Sequence, residues 1–268
     1  MPGITDLIAR WWKQIAAVVI LSLLAVGVIT FMKPRQYLSV TTAVPASSVA
    51  ADKGRIFNEN IQALYSSLGY ADDLDRIIGT ANLDTVYLTV SAKFNLYDHY
   101  KIKDTAALAL MKAAALLKSN TKVIKSEYGE LKVKVWDTDK NLAPQLANSI
   151  MNELQGIHQH LQSAGNEAIL KGLRQGLQKM QYKLDSASMP DKRSLVQAEI
   201  QQYEKLIGEY QLMVDNKPPV LITVEKAKMA IRPDRPKRLQ IMMSTGVLSL
   251  LFAFLAALVM ERRKFQPQ

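Results

Sequence analysis

The sequence predicts an α+β membrane protein, in which two transmembrane helices flank one domain with an α/β base and a long helical hairpin arm. Residues 15–32 and 239–260 are apolar and uncharged over 18 and 22 positions. A bilayer core of roughly 30 Å needs about 20 apolar helical residues, so each segment is long enough to span it. The 206 residues between them, 33–238, mix strand and helix patterns, which is typical of one folded domain.

Two spans place both short tails, residues 1–14 and 261–268, on one side of the membrane and the domain on the other. We expect cytoplasmic tails and a periplasmic domain, because the tails are basic and a long loop translocates largely regardless of its charge. The first span is expected to be a retained signal anchor, since no small-residue cleavage site follows it closely. The chain has no cysteine, which excludes disulfides and fits a bacterial envelope compartment.

The net charge of +10 is concentrated beside the two apolar segments. Basic residues at such positions meet the anionic head groups of membrane lipids, with a free energy of about 1 kcal/mol each. A nucleic-acid surface would need basic residues interleaved with aromatic side chains on one face, and the sequence has no such pattern. It therefore predicts contact with membrane lipids and no nucleic-acid partner.

The base of the domain is expected to comprise residues 33–140 and 218–232. Its predicted elements are strands at 36–44 and 220–224, a hairpin at 123–136 that turns near Gly129, and helices at 55–70, 71–78 and 105–118. Alternating β-branched residues favour the strands, and apolar spacings of three and four favour the helices. Residues 82–92 stay ambiguous, because their β-branched residues favour a strand whereas Asn82 could cap a helix.

Residues 141–216 predict the helical arm. Apolar residues recur there in heptad-like steps over more than 40 positions, about 60 Å of helix. The residues expected to pack along this helix are Leu146, Ile150, Leu154, Ile157, Leu161, Leu173 and Leu177. A break at 186–190 predicts that a second helix folds back antiparallel. Four glycines weaken the first helix by up to about 1 kcal/mol each and indicate a bend or close helix packing.

Side chains that support catalysis or metal binding are few. His158 and His160 lie about 200° apart on a helix, so they cannot share a metal ion, and both are expected on its solvated surface. His99 has no evident catalytic partner, and the acidic cluster at 72–75 lacks the glycine and glutamate of a calcium loop. No phosphate-loop, serine-hydrolase or zinc-protease motif occurs. The sequence predicts no enzyme, no cofactor and no metal site.

Two segments add specific motifs to the two-span plan. Residues 136–148, WDTDKNLAPQLAN, combine a strand end with the start of a long helix and place a proline at Pro144. Residues 230–238, AIRPDRPKR, carry Pro233 and Pro236 in a P-x-x-P step directly before the second span. With these features the chain resembles the polysaccharide co-polymerases, the Wzz-type chain-length determinants. Members often carry several glycines in span two, whereas this chain has Gly246, which leaves glycine-mediated packing of the spans open.

The resemblance implies a bacterial inner-membrane scaffold that regulates the length of a surface polysaccharide, such as O-antigen, capsule or exopolysaccharide. It implies a homo-oligomeric ring with coiled-coil arms, which acts with the polysaccharide polymerase on the growing lipid-linked glycan. It also implies that residues 82–92 are helical.

Alternatives to this resemblance remain open. Pro233 and Pro236 also fit a simple role in stiffening the entry to the span, because proline fixes φ. A two-span periplasmic sensor or adaptor would need a cytoplasmic partner that docks on the short tails. A membrane-anchored periplasmic enzyme would need a convergent polar pocket.

Overall fold

The computed structural model describes residues 4–46, 71–186 and 190–264, so the helix expected at 55–70 lies outside the described residues. The helices are α1 (Ile4–Met32), α2 (Ala71–Ala81), α3 (Asp84–Lys93), α4 (Leu96–His99), α5 (Ala106–Ser119), α6 (Leu142–Ser186), α7 (Pro190–Asn216) and α8 (Arg238–Lys264). The strands are β1 (Tyr37–Pro45), β2 (Thr121–Lys125), β3 (Leu131–Asp137) and β4 (Leu221–Glu225). This element order confirms the predicted architecture of two terminal apolar helices, a small sheet and a long helical hairpin.

The chain divides into two compact units. The first, called the membrane unit here, comprises Met1–Leu38, Trp136–Ala143 and Met229–Gln268. The second, called the domain unit, comprises Ser39–Val135 and Pro144–Lys228. Each unit is therefore assembled from segments that are distant in the sequence.

The membrane unit contains two helices that are long and apolar enough to cross a membrane. The candidate spans are Ala9–Met32 and Arg238–Glu261, each 24 residues long. Both are longer than the predicted segments, because the helices continue into their charged flanks. α1 and α8 pack against each other, while large apolar side chains such as Leu21 and Phe252 stay exposed on the helix surfaces, as expected for faces that contact lipid.

The sheet has four strands in the order β2-β3-β1-β4. β1 follows the first apolar helix in the sequence and β4 precedes the second, so the prediction of one sheet built from both ends of the domain is confirmed. These two strands pair antiparallel, with a register shift between Thr42 and Ala43. A shift of this kind inserts an irregularity that bends a strand locally.

The β2–β3 hairpin also follows its prediction. Leu131, Val133 and Val135 are fully buried, whereas the lysines between them are partly exposed. Gly129 lies in the turn with φ of +74°, a left-handed conformation that glycine adopts without steric penalty. Alternation of apolar and charged residues therefore determined both the strand type and its buried face.

Residues 84–93 form helix α3, so the helical alternative for the ambiguous segment is correct. Asn82 is not its cap: the N-cap position is Leu83, and no side chain bonds to the helix start there. Val86 and Val90, one helical turn apart, are both buried. Burial of this face against the neighbouring helix α5 outweighs the strand preference of the β-branched residues. The preceding helix, α2, continues two residues past Gly79, where the sequence predicted its end.

The long helix α6 spans 45 residues, and its first turn accommodates Pro144, because the N–H groups there have no intrahelical partner. Leu146, Ile150 and Leu154 are fully buried. Farther along, Ile157, Leu173 and Leu177 are half-buried, and Leu161 is 63% exposed. Among these seven residues, full burial is thus limited to the first three turns of the helix, although Leu170 farther along is also buried.

Side-chain contacts show that α6 and α7 run antiparallel. Gln159, in the first half of α6, donates a hydrogen bond to the carbonyl of Lys217, just after α7. Farther along α6, Arg174 donates to Gln211 Oε1 at 2.8 Å. Partners early in α6 therefore meet residues late in α7, and the predicted helical hairpin is confirmed.

One glycine in α6 lies in close contact with a side chain of α7. A Cβ atom at Gly176 would lie 2.6 Å from Tyr203 Cε1, closer than van der Waals contact. We expect Gly172→Ala, where nothing lies within 4 Å of the new methyl group, to raise the free energy of unfolding by up to about 1 kcal/mol through helix propensity. Gly176→Ala should lose this gain or destabilise the hairpin, because the tyrosine ring must move.

Thermal unfolding of the two variants, followed by circular dichroism at 222 nm, measures this difference. Equal and positive changes in melting temperature for Gly172→Ala and Gly176→Ala would show that the Tyr203 contact is not a packing constraint.

Candidate functional site: the proline segment before the second membrane helix

Residues 230–238, called the proline segment here, are attached to the chain that leaves the first membrane helix. Gln36 N–H donates to the carbonyl of Arg235 at 2.9 Å, and Asp234 N–H donates back to the carbonyl of Gln36 at 2.9 Å. The two residues Gln36 and Arg235 form an antiparallel bridge. The exit from α1 and the entry to α8 are therefore joined by backbone hydrogen bonds immediately outside the candidate spans.

Trp136, near the end of β3, is the buried anchor of the proline segment. Its side chain is 7% exposed, and its indole Nε1–H donates to Asp234 Oδ2 at 2.7 Å. The guanidinium of Arg235 lies 3.7 Å from the centroid of the Trp136 ring system. A hydrogen bond to a charged acceptor contributes about 1.5–3 kcal/mol, and a cation–π contact about 0.5–2 kcal/mol. The indole thus engages two consecutive residues of the segment.

The start of α8 has its own aromatic contact. The guanidinium of Arg238 lies 4.5 Å from the centroid of the Phe31 ring, and Phe31 is the last residue but one of α1. Arg238 N–H donates to the carbonyl of Pro236 at 2.9 Å. Pro233 is exposed and Pro236 is half-buried, and the Arg235–Pro236 peptide bond is cis. The second proline therefore supplies an acceptor for the first N–H of the membrane helix.

The opposite ends of α1 and α8 are joined by a polar contact. Glu261 accepts hydrogen bonds from Arg10 at 2.6 Å and from the Trp11 indole at 2.9 Å, and its side chain is only 4% exposed. Paired and hydrogen-bonded in this way, a carboxylate can remain buried. The two apolar helices are therefore attached to each other near both of their ends.

Between these ends each helix places one glycine at the contact. A Cβ at Gly27 would lie 3.8 Å from the Met242 sulfur, and one at Gly246 would lie 3.9 Å from Leu23 Cδ2. Both distances are ordinary van der Waals separations, so an alanine methyl group would fit at either position and this contact does not require glycine.

The structure divides the residues named in the sequence analysis into two groups. Pro233 and Pro236 lie in the membrane unit, whereas the arm residues Leu146, Ile150, Leu154, Ile157, Leu161, Leu173 and Leu177 lie in the domain unit. Sequence patterns alone do not identify Trp136, Asp234 and Arg235 as partners of one another. The one feature of the sequence that could have indicated this contact is Trp136 itself, a large aromatic residue at the end of an alternating strand.

Other polar residues of the domain unit have structural partners. His158 Nε2 lies 3.0 Å from the hydroxyl of Thr80, so the expectation of a solvated His158 is wrong: the side chain is half-buried and hydrogen-bonded. Burial, and then the nearby carboxylate of Asp84, raises the pKa of Tyr87 to about 12, which keeps this phenol neutral. Among the described residues no group of three or more His, Asp or Glu side chains could hold a metal ion.

Comparison with known proteins identified similar structures and no similar sequences. No family model matches the chain, and no curated protein matches it. A full-length bacterial polysaccharide co-polymerase is similar to it with a TM-score of 0.43 and 12% identity, covering 98% of each chain. A fragment of WzzB, a polysaccharide co-polymerase from Salmonella Typhimurium, is similar with a TM-score of 0.42 and 13% identity, covering 75% of this chain and 99% of the other.

Proposed function

We propose that this protein is a bacterial inner-membrane scaffold that regulates the chain length of a surface polysaccharide, such as O-antigen, capsule or exopolysaccharide. The observation that carries the proposal is the proline segment. Its P-x-x-P step lies at the entry to the second of two packed apolar helices and is held by Trp136 at the end of β3. A segment held in this way fixes the backbone conformation at the entry to the membrane helix.

In this proposal the domain is periplasmic, both termini are cytoplasmic, and the chain performs no covalent chemistry. Several copies assemble into a ring. The surface of this ring has a fixed size and contacts the polysaccharide polymerase and its growing lipid-linked glycan. The exposed apolar residues on the arm, among them Leu161 and Leu195, provide contact area for neighbouring copies, since a helix stripe left open in one chain is a common oligomer interface.

Deletion of the gene tests the proposal, with the surface polysaccharide resolved by size on a gel. We expect a narrow length distribution to become broad or short, and a plasmid copy of the wild-type gene to restore it. A ladder that is identical with and without the gene would contradict length regulation. It would favour a two-span adaptor, whose binding partner would then be sought by cross-linking in the membrane.

Pro236→Ala is expected to change the glycan length distribution while the protein level in the membrane stays near that of the wild type. The reason is that Pro236 fixes φ where the chain enters α8, and alanine releases this restraint while it keeps the backbone carbonyl that accepts from Arg238 N–H. Immunoblotting of membranes and gel analysis of the polysaccharide measure the two quantities together.

The matched control is Pro219→Ala, an exposed proline that lies between α7 and β4, which should leave the distribution unchanged. Normal glycan length in Pro236→Ala, at a normal protein level, would remove the proline segment from the mechanism.

A further inference from the structure

Two guanidinium groups of the proline segment are held in position without being neutralised. Arg235 lies over the Trp136 ring system and Arg238 over the Phe31 ring, with 3.7 and 4.5 Å to the centroids. In the part of the chain that the structure describes, neither guanidinium pairs with a carboxylate or donates a hydrogen bond. Stacking occupies the flat face of a guanidinium and leaves the N–H donors at its edge available for a ligand.

The acidic residue of the segment does not compensate these charges directly. Asp234 lies next to Arg235 in the sequence, yet its Oδ2 accepts from the Trp136 indole at 2.7 Å. Four further basic side chains of the same unit are exposed around the ends of the two helices: Lys33, Arg35, Arg232 and Lys237. The entry to α8 therefore carries a strong positive charge, which attracts anions from solution or from the membrane surface.

The position of the two arginines along the membrane helices limits the choice of anion. Phe31 is one residue from the end of α1, and Arg238 is the first residue of α8. Both guanidiniums are thus attached where the apolar segments end, which is the level of the lipid head groups in a bilayer. The anionic group found at this level is the lipid phosphate, and the planar donor fork of arginine binds phosphate oxygens in pairs.

We propose that Arg235 and Arg238 form a binding site for a phosphate group carried by a membrane lipid. The chemistry is shared by the phosphodiester of an anionic phospholipid and the diphosphate of a polyprenyl lipid. Stacking on Trp136 and Phe31 limits the rotamers of the two side chains before the ligand arrives, so less side-chain entropy is lost on binding. The proposal goes beyond the regulation of chain length and does not depend on it.

A titration of the purified full-length chain in a neutral maltoside detergent tests the site. Isothermal calorimetry compares two pairs of ligands that differ only in the phosphate-bearing head: short-chain phosphatidylglycerol against the matching diacylglycerol, and farnesyl diphosphate against farnesol. We expect each phosphate-bearing ligand to bind at least about tenfold more tightly than its partner. The tighter of the two phosphate ligands identifies the source of the phosphate. Equal affinity within both pairs would overturn the proposal.

Substitutions separate this site from a general attraction to positive charge. Arg235→Gln and Arg238→Gln should each weaken phosphate-lipid binding about tenfold. Arg232→Gln removes the same charge from the same segment, but this side chain has no aromatic contact in the described structure, and the change should be less than about twofold. An equal loss in all three variants would overturn the proposal in favour of unspecific electrostatics.

Lysine variants provide a second test, in which the positive charge is kept and folding is checked separately. Arg235→Lys and Arg238→Lys keep the charge but lose the planar donor fork, so both should still bind measurably less tightly than the wild type. Thermal melting of each variant establishes that it is folded. These binding assays contain no polysaccharide and no polymerase, so their failure and an unchanged glycan ladder in the deletion strain are distinguishable results.

Discussion

Leu154→Asp should prevent the domain from folding, whereas Leu161→Asp, seven residues farther along the same helix, should leave the fold intact. Leu154 is fully buried, and Leu161 is 63% exposed. Both residues belong to the apolar stripe of α6, and both variants introduce the same carboxylate. The comparison therefore isolates burial as the variable.

The expected size of the effect follows from two terms. Removing a buried leucine side chain costs about 3–5 kcal/mol through lost burial and the cavity left behind. The new carboxylate must in addition be buried without a cation or become protonated, and either costs further free energy. The sum is comparable to the entire stability of an ordinary domain, about 5–15 kcal/mol. At Leu161 neither term applies, because the side chain already contacts solvent.

Circular dichroism, limited proteolysis and native gels of the detergent-purified full-length chain measure the outcome. We expect loss of the cooperative thermal transition, rapid proteolysis and loss of any oligomer band for Leu154→Asp, and a wild-type transition for Leu161→Asp. An oligomer band and a melting curve unchanged by Leu154→Asp would show that this position is not part of a packed core. Loss of the oligomer alone in Leu161→Asp would place the exposed half of the stripe between copies.

Sequence patterns predicted the arm and the hairpin because both depend on local periodicity. The alternation from Leu131 to Val135 specifies a strand with one buried face, and the heptad-like steps from Leu146 onward specify a long helix. Residues 84–93 show the limit of this approach. Their β-branched residues favour a strand, and only packing of Val86 and Val90 against another helix makes the segment helical.

The contacts of the proline segment could not be predicted for a different reason. Trp136 and Asp234 are 98 positions apart in the sequence, and no periodic pattern relates a strand end to a segment before a membrane helix. The same holds for Glu261, which is 251 positions from its partner Arg10. Local patterns locate elements, whereas such pairs depend on how distant elements meet, so the prolines were identified and their partners were not.

Trp136→Ala is expected to destabilise the membrane unit by about 3–5 kcal/mol, the usual range when a buried aromatic side chain is reduced to alanine. The variant removes the buried ring, the hydrogen bond to Asp234 and the surface on which Arg235 stacks. For a chain of this size each kcal/mol lowers the melting temperature by roughly 2–4 °C. A decrease of about 10 °C is therefore expected in detergent.

Two milder variants separate the contributions within this contact. Trp136→Phe keeps an aromatic surface for Arg235 but lacks the indole N–H. Because Asp234 is partly exposed, water can replace the lost donor. The free energy of unfolding should therefore decrease by only about 1 kcal/mol. Asp234→Asn keeps an acceptor oxygen for the indole and should cost still less. If Trp136→Phe were as destabilising as Trp136→Ala, the hydrogen bond rather than the ring would hold the segment. A melting temperature of Trp136→Ala within about 2 °C of the wild type would mean that the proline segment is attached by its backbone bonds to Gln36 alone.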